Sequence, residues 1–543
     1  MLFRRVAIFA GGCTFEAAEK VATLDGELDI FSGLEGLVEH SLLRQDEQPG
    51  GEPRFFMLET VREFGLERLD ERGEAEAVAA RHASFFTTWV ETDEPEARGP
   101  RQVEWLAQME VEQDNLRTAL GWTLRHDPES ALRLASAQHW YWFLRGQVRE
   151  GRAWLERALA AASNSEERRI MALNWASFLA WNQGDLGVAR TRAEEALSLA
   201  TTHGDERGRG WALLNLGAVT RQAGNHERAS ELSGQARDVF REQGERWGGA
   251  LAAYGIGMGA SATGRINEAR RLFEQALVEV EAIGDRAVSC FVRAVLGGTA
   301  FAQGDLDEAR TLIEAAQADA KALGFRLVEA RALHQLGVIA IAQGNLDHAT
   351  TLLIKVETDY RDVGSWIDIA YCRNDLGYVR LIQGNTDEAM TLFEDAMAIA
   401  RERGDQIAIA LIRVSLGDVL SAHGNISGAA EMYRSGLAAA QKLSEVRTMA
   451  GCLRGLASIA LADGRSAQAV RLLAAEEALR APNRLHIFGY ADERRARDVA
   501  AARTVLGQAP FASAWDAGAQ MGPEEAVAEA SAVAAALAGE ASA

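Results

Sequence analysis

Glycine recurs every forty residues along more than half of the chain, without an insertion or deletion over 280 residues. Each of these glycines opens a near-copy of one short phrase, and the series is Gly184, Gly224, Gly264, Gly304, Gly344, Gly384, Gly424 and Gly464. A second series lies halfway between them and consists of Gly204, Gly244, Gly284, Gly324, Gly364 and Gly404, continued by Ser444. A fixed period in this range is typical of stacked supersecondary units. Two turns in every forty residues therefore predict two helices in every repeat.

The segments between these turns have helical character. A span such as 206–222 would be roughly 25 Å long as a helix. A turn glycine accepts the left-handed conformation that commonly ends a helix, and a following residue such as Asn345 can cap the next one. No proline occurs between Pro128 and Pro482, which favours uninterrupted helices joined by glycine turns.

Small residues at one position of each repeat predict close helix packing. We call the helix before each forty-residue glycine the first helix and the helix after it the second helix. The first helices carry Gly217, Gly257, Gly297, Gly337, Gly377 and Gly417, with Ala457 last. A glycine inside a helix costs about 1 kcal/mol relative to alanine, so its repetition indicates a close neighbour. Each second helix carries an alanine, and large residues follow four positions later at Phe273, Phe393 and Tyr433.

This pattern of Leu-Gly, glycine turn, alanine and large apolar residue resembles the tetratricopeptide family. The repeat is six residues longer than the roughly 34 residues usual in that family. It looks like the long-repeat variety found in the sensor domains of large bacterial regulators. The predicted fold is therefore all-α, a tetratricopeptide-like αα-superhelix of about eight forty-residue repeats.

The first 75 residues predict a small winged-helix domain in front of the repeats. Thr14 is placed to cap a helix, and residues 30–39 form the next one. Segments 41–45 and 54–58 flank a loop with Pro49, Gly50 and Gly51, which indicates a two-stranded wing. The predicted domains are a winged helix at 1–75, a helical linker with irregular first repeats at 76–165, a repeat solenoid at 166–480, and capping helices with an alanine-rich tail at 481–543.

The first thirteen residues also imitate a secretory signal with a lipid-attachment cysteine at Cys13. The apolar core, residues 6–10, is shorter than the roughly 7 to 15 residues that such a signal needs. We favour a short amphipathic helix that ends at Gly11 and Gly12, with the signal as the alternative.

Charge argues against nucleic acid as a direct partner. Residues 1–75 hold 8 Arg and Lys against 16 Asp and Glu, and the whole chain carries a formal net charge of −21. Affinity for nucleic acid comes largely from cationic contacts to phosphate. The winged helix is thus predicted to serve packing or regulation. Few cysteines and no long apolar run favour a cytoplasmic protein without membrane contact.

Four segments together resemble the signal-transduction NTPase (STAND) family of multidomain bacterial regulators, which includes the maltose-regulon activator. They are Phe-Ala-Gly-Gly-Cys-Thr-Phe-Glu-Ala-Ala-Glu at 9–19, Leu-Val-Glu-His-Ser-Leu-Leu at 37–43, Met-Leu-Glu-Thr-Val-Arg-Glu-Phe at 57–64 and Glu-Gln-Asp-Asn-Leu-Arg-Thr-Ala-Leu at 112–120. The resemblance implies an ATPase core, a winged helix and a tetratricopeptide sensor in that order.

The ATPase core of the family has no counterpart here. A phosphate-binding loop needs Gly-x4-Gly-Lys-Ser/Thr, and none of the four lysines, Lys20, Lys321, Lys355 and Lys442, follows a glycine. We therefore expect no ATP hydrolysis by this chain, although full-length relatives would bind and hydrolyse ATP. We expect a natural fragment, a split gene or a mis-called start. The phosphate-sensing Met-His-Asp of the family reads Met57-Leu58-Glu59, and leucine cannot donate a hydrogen bond to phosphate.

A binding groove is expected on the inner wall formed by the first helices. With the Leu-Gly pair as register, the inward positions lie six and three residues before the glycine and one and four after it. These positions give Phe178, Trp181, Trp211, Tyr254, Phe291, Phe301, Arg331, His334, Tyr371, Asn374, Tyr378, Asp418 and Arg454. Aromatic side chains with a few polar anchors suit a ligand or peptide. The alternative is that several of them only fill the inside of the superhelix.

Aromatic residues are also dense between 85 and 181. We expect most of them to pack the helices that join the winged helix to the repeats, with a stacking platform for ring-bearing ligands as the alternative. The cysteines and histidines show no metal-binding spacing, so we expect no cofactor and small buried roles for Cys13, Cys290, Cys372 and Cys452.

Three functions remain compatible with the sequence. The first is a protein- or ligand-binding sensor or scaffold module of a bacterial signal-transducing regulator, whose partner is a protein, a peptide or a small-molecule inducer. The second is a transcription regulator that acts through a separately encoded ATPase or DNA-binding partner. The third, an enzyme on a helical solenoid, is the weakest because no cluster of nucleophile, base and orienting residue can be named.

Overall fold

A computed structural model describes residues 1–24, 28–47, 53–162, 165–443, 445–483 and 489–539. The loop residues Pro49, Gly50 and Gly51 and the turn residue Ser444 lie outside the described residues. The chain divides into two compact units. Unit 1 comprises Met1–Thr263 with Arg271–Ser289, and unit 2 comprises Gly264–Arg270 with Cys290–Ala543.

Unit 1 begins with the predicted winged-helix domain. Its elements are α1 (Leu2–Val6), β1 (Cys13–Thr14), α2 (Phe15–Ala22), α3 (Ile30–Glu39), β2 (Arg44–Glu47), β3 (Pro53–Phe56) and α4 (Glu59–Glu71). The Thr14 side chain accepts a hydrogen bond from the Ala17 backbone, as predicted for a cap. The sheet has three antiparallel strands in the order β1-β3-β2 rather than two. The additional strand is only two residues long, too short for an alternating pattern to reveal it.

Six α-helices and a short 3-10 helix connect the winged helix to the repeats. They are α5 (Ala75–Asp93), a 3-10 turn (Glu94–Arg98), α6 (Gln102–Val111), α7 (Gln113–His126), α8 (Pro128–Ala137), α9 (His139–Leu144) and α10 (Val148–Ala161). Aromatic rings fill the space between several of these helices, as in the edge-to-face contact of Trp105 with Tyr141 at 6.4 Å.

The repeats are helix pairs throughout. The first helices are α11 (Glu166–Asn182), α13 (Glu206–Gln222), α15 (Arg246–Ala262), α17 (Arg286–Gln303), α19 (Arg326–Ala342), α21 (Trp366–Ile382), α23 (Gln406–Ala422) and α25 (Val446–Ala462). The second helices are α12 (Leu186–His203), α14 (His226–Glu242), α16 (Ile266–Ile283), α18 (Leu306–Ala322), α20 (Leu346–Val363), α22 (Thr386–Arg403), α24 (Ile426–Lys442) and α26 (Ser466–Arg480). All fourteen turn glycines of the two series have positive φ, which explains the residue choice at those corners.

The glycines within the first helices make room for a large side chain of a second helix. A Cβ added at Gly377 would lie 2.6 Å from the ring of Phe393, and one added at Gly417 would lie 2.5 Å from the ring of Tyr433. Both rings are fully buried. The predicted close approach is therefore confirmed, and aromatic volume takes the place of the missing Cβ.

Three helices follow the last pair in unit 2. They are α27 (Gly489–Leu506), α28 (Gln508–Ala519) and α29 (Pro523–Gly539). Helix α29 packs against α24, α25 and α26 and buries Ala530, Val533 and Leu537 in the core there. Within the described part of the chain, no helix has both the length and the apolar character needed to cross a membrane.

First helices line the inner side of each stack. In unit 1, α11 contacts α13 and α13 contacts α15. In unit 2, α19, α21, α23 and α25 contact one another in succession. Helices α11, α13 and α15 thus form one continuous surface in unit 1, and α19, α21, α23 and α25 form another in unit 2. We call each of these surfaces an inner wall.

Candidate functional site

The inner wall of unit 1 is dominated by packed aromatic rings. Trp211 is buried and lies 5.1 Å from the ring of Phe240 and 5.0 Å from that of Trp247. Phe178 contacts Phe143 at 5.0 Å and Trp181 at 6.2 Å. The structure therefore places Trp211 in the interior, and these rings pack against one another as expected for the aromatic-rich segment.

Tyr254 and its neighbours continue that wall. The Tyr254 ring lies 5.7 Å from the ring of Phe273, and burial raises the pKa of its phenol. His139 stacks on Trp175 at 3.7 Å, and burial lowers the pKa of the His139 imidazole. His139 is 1% exposed and thus forms part of the aromatic core of unit 1.

The segment that connects α5 to α6 is bound to the repeats of unit 1 by buried polar contacts. The Gln102 amide donates to Oδ1 of Asp285 at 3.0 Å and accepts from the Ala287 backbone at 3.0 Å. The indole of Trp247 donates to Oδ2 of Asp285 at 2.7 Å, and the Arg98 guanidinium lies 4.1 Å from the Trp247 ring centroid. Burial raises the pKa of Asp285, although its hydrogen bonds counteract this. Part of the unit 1 surface that the repeats would offer to a partner is thus covered by the chain itself.

In unit 2, the inner wall carries paired polar side chains. Arg331 donates to Asp368 of the next repeat at 2.9 Å. The imidazole Nε2 of His334 lies 2.9 Å from Oδ2 of Asp375, also in the next repeat. These pairs bridge α19 and α21 and leave charged groups partly exposed, with the Arg331 side chain 51% exposed.

Tyr371 and Asn374 lie beside those pairs. The Tyr371 hydroxyl donates to Asp405 at 3.4 Å, and burial is the main cause that raises its pKa. Asn374 is only 4% exposed, and its Oδ1 has no hydrogen-bond partner among the described residues. Phe291 makes an edge-to-face contact with Phe325 at 5.5 Å, and Phe301 packs beside the apolar cluster around Ile313.

The last repeats of unit 2 are covered by α27. Arg494 of this helix donates to Asp418 at 2.9 Å and to the Ser458 hydroxyl at 3.1 Å. Arg454 lies 3.6 Å from the buried carboxylate of Glu476. Asp418 and Arg454 are therefore engaged within the chain. The repeat pattern did not predict the partner of Asp418 because α27 lies outside the repeats, whereas Arg454 pairs with α26 of the last repeat.

The Met57-Leu58-Glu59 segment lies at the start of α4. Leu58 is 70% exposed. Glu59 occupies the first helical turn and accepts a hydrogen bond from Arg62 at 2.7 Å. This hydrogen bond lowers the pKa of the exposed Glu59 carboxyl. Met57 is half-buried.

The helix pairs of the forty-residue repeats and the winged helix in the first 75 residues define the class of this chain: a tetratricopeptide-repeat protein with a winged-helix domain. Family comparisons agree with this class. A winged helix-turn-helix domain matches residues 1–70, tetratricopeptide repeats match 167–242 and 209–278, and a MalT-like TPR region matches 327–515. The chain thus combines a winged helix-turn-helix domain with a tetratricopeptide array whose second part is of the MalT-like type, which confirms the predicted resemblance in domain composition.

Curated relatives carry the name of HTH-type transcriptional regulators. One from Mycobacterium bovis and one from Mycobacterium tuberculosis are each 33% identical over 260 residues, covering 46% of this chain and 29% of the relative. The chain therefore spans less than a third of the length of these relatives. Among solved structures, a Signal Transduction ATPase with Numerous Domains (STAND) protein with a tetratricopeptide repeat sensor from Pyrococcus horikoshii is similar, with a TM-score of 0.51 and 15% identity over 78% of this chain and 59% of that one. That similarity concerns the fold.

Proposed function

We propose that this chain is the sensor or scaffold module of a bacterial signal-transducing transcriptional regulator, and that it binds a protein or peptide on the inner wall of unit 2. The observation that carries the proposal is the presence of partly exposed polar side chains at the same position of two successive repeats, Arg331 on α19 and Tyr371 on α21, with His334 one helical turn from Arg331. Side chains that recur at one repeat spacing can follow an extended partner along the wall. The regulator names of the relatives support the regulatory role.

The test compares the partners captured by two tagged chains in the bacterium that carries the gene. One chain has Arg331→Ala, His334→Ala and Tyr371→Phe, and the other has Glu394→Ala on the exposed surface of α22. Quantitative mass spectrometry should show proteins that are lost at least tenfold from the inner-wall variant and kept by the Glu394 variant. Identical capture by both folded variants would refute the proposal.

A second candidate function is transcriptional regulation through a separately encoded ATPase or DNA-binding partner, which the regulator names of the relatives favour. In that case, the proteins captured by the wild-type chain would include one with a phosphate-binding loop or a DNA-binding domain. A small-molecule inducer on the same wall would instead appear as a thermal shift without a captured protein.

A further inference from the structure

One face of helix α27 lies against side chains at one repeated position of unit 2. Tyr378, Asp418 and Ser458 occupy the same position in three consecutive repeats, one residue after the glycine or alanine of the Leu-Gly series. Residues 490, 494 and 498 of α27 lie four apart and share one helical face. Arg494 donates to both Asp418 and Ser458. This face of α27 thus contacts two of the three repeated positions, which together we call the 378–418–458 stripe.

The two halves of α27 are held by different forces. The C-terminal half packs Ala502 into an apolar cluster with Phe511 of α28. The N-terminal half is held by polar contacts, chiefly those of Arg494 and the pair of Arg495 with Glu476 at 3.0 Å. Helix α29, in contrast, packs several fully buried apolar side chains into the core, in addition to the ion pair of Glu529 with Arg471. Glu476 is fully buried, but it also pairs with Arg480 at 2.6 Å, so its carboxylate keeps a charged partner when Arg495 moves away. The partly exposed groups that Arg494 contacts can pair with water or with another polar partner instead.

The stripe itself is built to receive a guanidinium. Asp418 also accepts a hydrogen bond from the Tyr433 hydroxyl at 2.7 Å. This second hydrogen bond holds the carboxylate in one orientation. The side chains of Asp418 and Arg494 are each 17% exposed, so the pair is largely buried but still in contact with solvent. A planar guanidinium that meets a fixed carboxylate and a hydroxyl is recognised by geometry as well as by charge.

We propose that the 378–418–458 stripe is a binding surface for an arginine-bearing amphipathic helix of a partner protein, and that the N-terminal half of α27 is an internal occupant which such a helix replaces. The C-terminal half keeps α27 attached to α28 during the exchange. This inference rests on the proposed function and names the class of partner, which inserts an arginine between Asp418 and Ser458 in place of Arg494.

The probe is a fluorescein-labelled synthetic peptide of residues 489–506, and its anisotropy is titrated with the full chain. Attached to the chain, α27 has a high effective concentration, so the wild-type chain should bind the peptide weakly. The Arg494→Ala chain should bind it at least tenfold more tightly, and adding Asp418→Asn should abolish that gain. Arg497→Ala, a matched change at an exposed position of α27, should leave binding at the wild-type level.

Equal affinity of the peptide for all four chains, or equal binding with and without Asp418→Asn, would overturn the inference. Hydrogen exchange of the wild-type chain provides a measurement that needs no variant. Amides 490–498 should exchange at least tenfold faster than those of α29, and equal protection of both segments would also overturn it. If the inner-wall variant loses partners but the peptide does not exchange, the helix inference fails while the proposed function stands. If the peptide exchanges but partner capture is unchanged, the proposed function fails.

Discussion

His82 is a buried histidine whose ionisation opposes folding. It lies 1% exposed among aromatic rings, with Phe86 at 4.7 Å and Phe9 at 5.3 Å. Burial lowers its pKa to about 4, and the hydrogen bond with Asn115 counteracts this only in part. In the unfolded chain the pKa is about 6.5, so between these values the unfolded state binds more protons.

We therefore predict a loss of stability on acidification that belongs to His82. The contribution of neutral His82 to the free energy of unfolding is complete above about pH 6.5. It is lost as the pH falls toward 4, which lowers the free energy of unfolding by up to about 3 kcal/mol. Urea unfolding of the wild-type chain and of His82→Gln, measured from pH 7.5 to 4.5, should show a shallower pH dependence in the variant. The same pH dependence in both chains would show that His82 does not titrate as a buried group.

The helix glycines offer a second prediction at the scale of single residues. Gly377→Ala should destabilise unit 2 by about 1–3 kcal/mol because the new Cβ would overlap the buried Phe393 ring. Gly298 is a helical glycine of α17 with no atom within 4 Å of a Cβ built there, so Gly298→Ala should be neutral or stabilise by up to about 1 kcal/mol. Thermal unfolding of both variants tests this, and equal effects of the two substitutions would contradict it.

At the scale of elements, the winged helix is attached to the linker helices by a buried ionic network. Arg54 on β3 donates to both carboxylate oxygens of Glu112, at 2.5 and 2.8 Å, and to the Gly11 and Gly12 carbonyls. Asn115 donates to Glu112 and to the Gly12 carbonyl. This network gives a physical role to two segments that the sequence singled out, Gly-Gly at 11–12 and Glu-Gln-Asp-Asn at 112–115.

Glu112→Gln should therefore loosen the winged helix from the linker. Removing one partner of a buried ion pair costs about 3–5 kcal/mol, and we expect faster proteolysis of residues 1–75 while the repeats stay protected. The control is Asp46→Asn, which breaks an exposed pair with Arg44 whose side chains are 40% and 71% exposed. Because exposed pairs contribute about 0–1 kcal/mol, that control should digest like the wild type. Equal rates for both variants and the wild type would refute the role of Glu112.

The winged helix also allows a prediction about nucleic acid. With 8 basic against 16 acidic residues in 1–75, the domain should repel phosphate. We expect no binding of a labelled duplex DNA of mixed sequence at 10 µM protein and about 50 mM salt, where phosphate contacts are strong. Saturable binding in an anisotropy titration would contradict this expectation and would show that the winged helix binds DNA directly.

On the scale of the whole molecule, the sequence predicts what repeats and misses what joins distant segments. The forty-residue period predicts the helix pairs, and the glycine positions predict their close packing, because the same turns and helix contacts recur in each repeat. The period predicts a register for the inward residues but not the neighbours of each one. The sequence therefore left open which of them are buried, as Trp211 and Asn374 are. Gln102 meets Asp285 across 183 residues and Arg494 meets Asp418 across 76. Such contacts follow no local pattern, and they decide which parts of the inner walls are covered.

The central claim is that the inner wall of unit 2 receives the partner. Site-specific photo-crosslinking in the bacterium that carries the gene tests it most directly, with p-benzoylphenylalanine placed at Tyr371 on the inner wall or at Glu394 on α22. We predict a crosslinked partner from position 371 and none from position 394. A crosslink from position 394 alone, or none from either position, would contradict the claim.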